Sequence, residues 1–172
     1  MEFFDLYSAE GHFLNKTMQR GGVFKKGEYA MVVHVWIKVN ETQFLIQQRN
    51  KKHDPIPYQW ATISGLLNAK ETPVDAAIRE TKEELGLTID KNSLNKVAHI
   101  ISSHDAYHTI THVFMVQMDV DEASIQLQLD EVRDYDFKTL EDIRALVDKN
   151  HFWNYTKLLN VADYFCYLEE GI

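Results

Sequence analysis

The chain carries a single cysteine, Cys166, among its 172 residues. One thiol excludes an internal disulfide framework and gives no zinc cluster. No apolar run approaches the roughly 20 residues that span a bilayer, so no membrane partner is expected. The start of the chain, Met1-Glu-Phe-Phe-Asp5, lacks the basic opening and apolar centre of a signal peptide, and a cytoplasmic location is the default expectation. Positive charge is also short: 18 Lys and Arg stand against 26 Asp and Glu, a net charge of −8. That balance argues against a general nucleic-acid binder, whose affinity comes from neutralising phosphates. A small phosphate ligand stays open, because a metal ion and a few local cations can hold it. Internal repeats, low-complexity runs and inter-domain linkers are missing too, and the length suits one domain with a real core.

What is present reads as strands first. Glu2–Tyr7 and His12–Asn15, around Gly11, form an expected hairpin, followed by a loop marked by Arg20-Gly21-Gly22 and Lys26-Gly27. Tyr29–Val39 is the clearest strand, and its near-continuous apolarity predicts a central position buried on both faces. Asn40-Glu41-Thr42 turns the chain into Phe44–Gln48, an expected antiparallel partner. Arg49–Tyr58, with Pro55 and Pro57, is a basic loop. Lys51 and Lys52 read there as solvated surface, and Arg49 as a ligand contact because its planar fork suits phosphate. Trp60–Ile63 is a short strand. Val97–Ser103 and Ile110–Met118 are further strands, Asp119–Asp130 is irregular, and Val132–Phe137 is a last strand. His104, His108 and His112 invite a metal-site reading, but no helical face aligns their rings, and loop or partly buried roles are expected. Thr139–Lys149 is a capped helix. Phe152–Leu168 reads as a second helix whose broad aromatic face serves the core, with a homodimer contact as its other use.

The chain is organised around Gly65–Leu87. Thr72 is an N-cap, Pro73 sits at the first helical position, and Gly86 supplies the stop. At about 100° per residue, Val74, Ala77, Ile78, Thr81 and Leu85 share a stripe that should face a core. Glu80, Glu83 and Glu84 share another arc, with only the small Ala76 among them. Like charges one turn apart are unfavourable by a few tenths of a kcal/mol, about 0.2–0.5 per pair. A divalent cation turns that repulsion into ligation, since Mg²⁺ takes hard oxygen ligands, often carboxylates together with substrate phosphates. An ordinary exposed acidic helix is the other reading of the same spacing.

The stretch resembles the box of the Nudix (MutT-like) hydrolase family, Gly-x5-Glu-x7-Arg-Glu-U-x-Glu-Glu-x-Gly-U with U a bulky aliphatic residue. Gly65, Glu71, Arg79, Glu80, Glu83, Glu84, Gly86 and Leu87 match, and Thr81 departs where an aliphatic is expected. Further likeness lies in Phe4-Asp5-Leu6-Tyr7, Arg20-Gly21, Gly27-Glu28-Tyr29, Val33–Ile37, Gln48-Arg49 and the Trp60–Gly65 approach. These resemble the branch related to isopentenyl-diphosphate isomerase, over most of residues 3–150. The resemblance implies an α/β fold: an α/β/α sandwich around a central mixed sheet, with an N-terminal β-hairpin extension. It divides the chain into a hairpin (1–27), a core (28–150) and a C-terminal helix (151–172).

The same resemblance implies Mg²⁺- or Mn²⁺-dependent hydrolysis of a phosphoanhydride in a nucleoside diphosphate linked to another group. Glu80 and Glu84, with Glu83 next, are the expected metal ligands, and the Gly65 carbonyl is a further one. For Glu80 the family allows either ligand or general base. Arg79 is expected to pair with Glu71 and belongs to the catalytic set. Arg49 is a substrate contact, and Glu131 matches an acidic position used by some relatives. An isomerase-like enzyme is the first alternative, but Leu66 and Ala30 stand where it needs other residues, and Cys166 is far along the chain. A non-catalytic nucleotide-binding module is the second, and the full carboxylate set speaks against it.

Overall fold

The computed structural model describes residues 3–50, 52, 57–104 and 107–171. Lys51, His53 and Pro55 of the basic loop, and Asp105 and Ala106 of the histidine loop, lie outside the described residues.

β1 (Phe3–Tyr7) and β2 (Phe13–Gln19) pair antiparallel as the expected hairpin. The main sheet is mixed and centred on β3 (Ala30–Lys38). One edge of β3 runs parallel to β8 (Tyr107–Gln117), which pairs antiparallel with β7 (Asn95–His104). The other edge of β3 is shared. Its first half pairs with β6 (Ile63–Leu66), and only Ile37 and Lys38 pair with β4 (Gln43–Arg49). β4 carries β9 (Val132–Thr139) along the whole of its outer edge, and past Leu45 its inner edge leaves β3 and pairs with β5 (Trp60–Ala61). The sheet therefore forks. Thr62 sits at the break between β5 and β6, its hydroxyl donating to the Val35 carbonyl and its N–H to the Tyr155 hydroxyl.

Alternation along β3 builds two cores, because successive strand side chains point to opposite faces. Val33, Val35 and Ile37 pack with Leu45, Ile63, Ala77 and Leu85 on one face. Trp36 packs with Phe44, Ile46, Val113 and Met115 on the other. Helix α1 (Pro73–Leu85) covers the first face, and α2 (Leu140–Asp148) covers the second through Ile143. The sandwich and its mixed central sheet are thus as expected. Among the described residues no helix is long and apolar enough to cross a membrane.

The C-terminal helix is a correction. Phe152–Leu168 is not one helix but two short ones, α3 (Tyr155–Leu158) and α4 (Cys166–Glu170). Tyr155 and Tyr164 would lie on opposite sides of a straight helix, since nine residues make about two and a half turns. Here both are buried, with ring centroids 5.0 Å apart. The chain achieves this by turning at Asn160, which takes a left-handed φ of 53°. The Thr156 hydroxyl then accepts from the Tyr164 N–H, and Asp163 accepts from the Phe165 N–H. Hence the aromatic face considered for a homodimer is consumed by this chain's own core. Phe152, Tyr155, Tyr164, Phe165 and Leu168 are all buried.

Tyr164 locks this arrangement. Its hydroxyl accepts from Trp36 Nε1 at 2.9 Å and shares a hydrogen bond with His34 Nδ1 at 2.8 Å, all three side chains being buried. Burial pushes the His34 imidazole down to about 3, which keeps it neutral and able to accept. Tyr164→Phe leaves two buried polar groups unpaired and should lower the unfolding free energy by about 1–3 kcal/mol in urea titrations. An unchanged midpoint would contradict the role given to this hydroxyl.

Candidate active site

The site begins with the ends of α1. The Thr72 hydroxyl accepts from the Asp75 N–H at 3.2 Å, and Gly86 stops the helix at φ 72° with its N–H on the Lys82 carbonyl. Thr81, the departure from the box pattern, is fully buried and donates its hydroxyl to the Ala77 carbonyl one turn back. A back-bonded threonine fills an aliphatic position without leaving its oxygen unpaired.

The acidic arc is turned inward. Ala76 is buried, the Glu80 side chain is 12% exposed, and Glu84 is 3% exposed, while Glu83 stands half in solvent. The arc faces a cavity of about 290 Å³ at the fork in the sheet. Arg49, Gly65, Arg79, Glu80, Glu83 and Glu131 all line it. Glu84 lies behind that wall, where Gln47 Nε2 donates to its Oε2 at 2.6 Å. The structure thus gathers the expected side chains from four separate stretches.

Arg79 is the hub. Nε and Nη2 donate to the two Glu71 oxygens at 2.7 and 2.9 Å, a bidentate pair. Nη2 also reaches the Leu66 carbonyl at 3.0 Å, and Nη1 reaches Glu80 at 2.7 Å and Glu83 at 3.0 Å. Partial burial pushes the Glu71 carboxyl up, but its bonds from Arg79 and the Asn68 N–H outweigh this and hold it below the usual carboxylate range. The expected Arg79–Glu71 pair is therefore present, and it ties loop, strand and helix together.

Burial raises the Glu80 carboxyl to about 7 against the pull of Arg79, with Glu83 and Glu131 pushing it further. Burial likewise raises Glu84 to about 8, and the neighbouring Glu80 and Glu131 charges add to this. These are carboxylates whose local positive charge falls short. Among the described residues, no three acidic, histidine or cysteine side chains already converge as a metal site, and Arg79 bonds both Glu80 and Glu83. The donor set nevertheless fits a divalent cation: hard oxygens, one turn apart and under-neutralised, with Glu80 on the cavity wall and Glu84 directly behind it. Arg79 would still have Glu71 as a bidentate partner if its Glu80 contact opened.

Gly65 has a different part from the one expected. β6 pairs with β3 in a single register, and Leu67 N–H continues it onto the Met31 carbonyl. In an antiparallel pair the hydrogen-bonding direction alternates along the strand. The Leu66 carbonyl points off the edge to Arg79, so the Gly65 carbonyl points into the ladder toward Val33 and the Ser64 carbonyl points off the edge. Ser64, not Gly65, offers a backbone oxygen on the cavity side, and it lines the cavity. Glycine at position 65 lets the Glu80 carboxylate lie against the strand, since a Cβ there would displace it.

Arg49 and Glu131 reach the same cavity because β4 is tied to the segment before β9. Asn50 N–H donates to the Glu131 carbonyl at 2.7 Å, and the Asn50 side chain donates to the Leu129 carbonyl at 2.6 Å. The same segment closes the end of α1, with Gln126 and Gln128 N–H groups on the Leu85 and Glu84 carbonyls. Arg49 also lies 5.3 Å from the Trp153 ring. The charge of Arg49 pulls Glu84 downward.

Several site residues have no role in the sequence reading. Gln47 is buried, and among the described residues its Oε1 has no partner. Asp5, also buried, accepts from the Lys70 N–H at 2.9 Å. Phe3, Phe4 and Arg20 bring the hairpin into the cavity wall. A second hollow of about 450 Å³, lined by Phe4, Met18, Phe24, Ala30, Val32 and Leu66 among others, adjoins the first. The available signal was polarity out of place: Asp5 between Phe4 and Leu6, and Gln47 after Leu45-Ile46.

The histidines separate. His108 donates from Nδ1 to the Glu28 carbonyl at 3.1 Å, while His112 stacks on His99 at 5.0 Å. Cys166 bonds the Asp163 carbonyl near the chain end and does not line the cavity.

Two outcomes are expected here. Arg79→Lys loses the fork that serves Glu71, Leu66, Glu80 and Glu83, and should cost about 10–100-fold in kcat/KM. Retained activity would show that a point charge suffices. His112 is 93% buried by area, has both ring nitrogens without a partner among the described residues, and burial pushes it down to about 4. The unfolded chain then binds the extra proton, so stability is full above about pH 6.5 and falls as pH drops toward 4. His112→Leu should flatten that fall, raising the melting temperature relative to wild type more at pH 5 than at pH 7.5; an equal shift at both would contradict it.

The chain matches the NUDIX domain family over residues 28–159. It is 37% identical over 158 residues to an uncharacterised Nudix hydrolase of Listeria innocua, covering 90% of each chain. Among solved structures, DR0079 from Deinococcus radiodurans superposes with a TM-score of 0.74 at 18% identity, over 92% of this chain and 98% of that one. A bifunctional NMN adenylyltransferase/ADP-ribose pyrophosphatase from Francisella tularensis, complexed with AMP and a manganese ion, gives a TM-score of 0.60 at 22% identity. The match covers 84% of this chain and 42% of that one.

Proposed function

The chain belongs to the Nudix hydrolase family, and from that premise we propose that it hydrolyses a phosphoanhydride in a nucleoside diphosphate linked to another group, with Mg²⁺ or Mn²⁺. The observation that carries this is a pair of carboxylates one turn apart, the buried Glu84 and the partly buried Glu80, beside a cavity that Glu80 and Arg49 line. The AMP and manganese bound by the Francisella protein support a nucleotide and a divalent cation.

Glu84 and Glu80 would hold the cation, with Glu83 and the Ser64 carbonyl as further oxygens. When bound, the cation would neutralise diphosphate charge and make the attacking water more acidic. Gln47 holds one Glu84 oxygen in place and leaves the other for ligation. Arg49 would pair with the phosphate oxygens as a planar donor. Water oxygen bonds to one phosphorus while the bridging P–O bond breaks and its electrons leave with the second phosphate. A cavity carboxylate takes the proton of the water. Glu80, raised to about 7, is suited to that task as well as to ligation. Glu131 is the other carboxylate on the cavity wall. The adjoining hollow beneath the hairpin would receive part of the substrate beyond the diphosphate.

The test is phosphate release from nucleoside di- and triphosphates, dinucleoside polyphosphates, nucleotide sugars, ADP-ribose, NADH and coenzyme A. Activity should appear with Mg²⁺ or Mn²⁺, vanish with EDTA and return when the metal is restored. Glu84→Gln should lose about 10³-fold or more in kcat/KM, roughly the several kcal/mol of charge stabilisation a bound metal supplies. It should also keep or raise the unfolding midpoint, because it removes an under-compensated buried acid. Full activity in Glu84→Gln, or binding without turnover across the panel, would contradict the proposal.

A further inference from the structure

Lys70 lies in the middle of the loop that leads into α1 and takes a left-handed φ of 63°. That conformation crowds the Cβ of a non-glycine residue against the following carbonyl oxygen, so it is disfavoured relative to the right-handed one. Something must hold it there. The Lys70 N–H donates to Asp5 Oδ2 at 2.9 Å, and Asp5 is 5% exposed, on the hairpin strand β1. Directly after Lys70 comes Glu71, whose N–H bonds the Asn68 carbonyl and whose Oε2 accepts from the Asn68 N–H. Glu71 then fixes Arg79, and Arg79 fixes Glu80 and Glu83. A path of hydrogen bonds, with the Lys70–Glu71 peptide link in its middle, runs from the N-terminal hairpin to the carboxylates.

We propose that Asp5 is a positioning residue for the catalytic site, pinning Lys70 in its left-handed turn so that Glu71 and Arg79 hold the α1 carboxylates in register. This rests on the cation-binding reading of Glu80 and Glu84. Asp5 works as a hydrogen-bond acceptor, not as a charge. It touches neither Arg79 nor the carboxylates directly, and its effect passes through the loop.

The experiment compares wild type, Asp5→Ala, Asp5→Asn and the double variant Asp5→Ala/Lys70→Gly. Two readouts are taken: Mn²⁺ affinity by calorimetry, and the Arg79 Nε–H resonance by nitrogen-15 NMR without metal. Asp5→Ala should weaken Mn²⁺ binding about 10-fold or more, as loss of outer partners does, and shift the Arg79 resonance. Asp5→Asn keeps a carbonyl acceptor and should resemble wild type in both. Lys70→Gly removes the cost of positive φ and should restore the Asp5→Ala protein, because glycine takes that conformation freely. A purely structural Asp5 would lower thermal stability without moving the Arg79 resonance, and that result overturns the proposal. So does Asp5→Asn behaving like Asp5→Ala, or failure of Lys70→Gly to rescue. If the wild type takes up no Mn²⁺, the cation reading falls, and the Arg79 resonance still decides the role of Asp5.

Discussion

One guanidinium holds the site together. Arg79 reaches the loop through Glu71, the strand edge through the Leu66 carbonyl, and its own helix through Glu80 and Glu83. These three elements meet where the sheet forks, so no regular ladder joins them. A planar donor with five N–H groups can satisfy all three at once, which a lysine cannot. Without it, β6 would keep its pairing to β3 and α1 its core packing, but the Glu80 and Glu83 carboxylates would lose the cation that ties them to the loop and strand.

The fork explains why the cavity exists. β3 gives half of one edge to β6 and its last two residues to β4, and the strands diverge between them. β4 carries Gln47 and Arg49 to one side of the gap, and β6 carries Ser64 and Gly65 to the other. The long segment before β9 returns over the end of α1 and adds Glu131. A continuous sheet would have filled this space with backbone. Burial at the gap then raises Glu80 and Glu84, so the fold itself creates carboxylates that a cation would relieve.

Much of this was legible in the sequence because it is local. The Thr72 cap, the Gly86 stop and the buried stripe of α1 depend on partners within one or two turns. β3 announced itself by apolarity alone. The illegible parts depend on long separations: Asp5 meets Lys70 across 65 residues, and Gln47 meets Glu84 across 37. The orientation of the Ser64 and Gly65 carbonyls is set by register with β3, which no local pattern encodes. The terminal helix failed for a related reason. Its aromatic spacing fits a helix, but the core demanded Tyr155 and Tyr164 side by side, and Asn160 could adopt the turn that allows it. Substrate identity is carried by none of these features, since one fold supports many specificities.

As proposed, Glu80 and Glu84 form a cation site to which Arg79 yields Glu80. Anomalous diffraction at the manganese edge, from crystals grown with Mn²⁺, addresses both halves. The account predicts a peak about 2.1 Å from Glu80 and Glu84 oxygens, a distance scaled from the shell of the similar Mg²⁺ ion. It also predicts that the Arg79–Glu71 pair stays intact and the Arg79–Glu80 contact opens. A peak away from these carboxylates, or none with Arg79 still on Glu80, would contradict it.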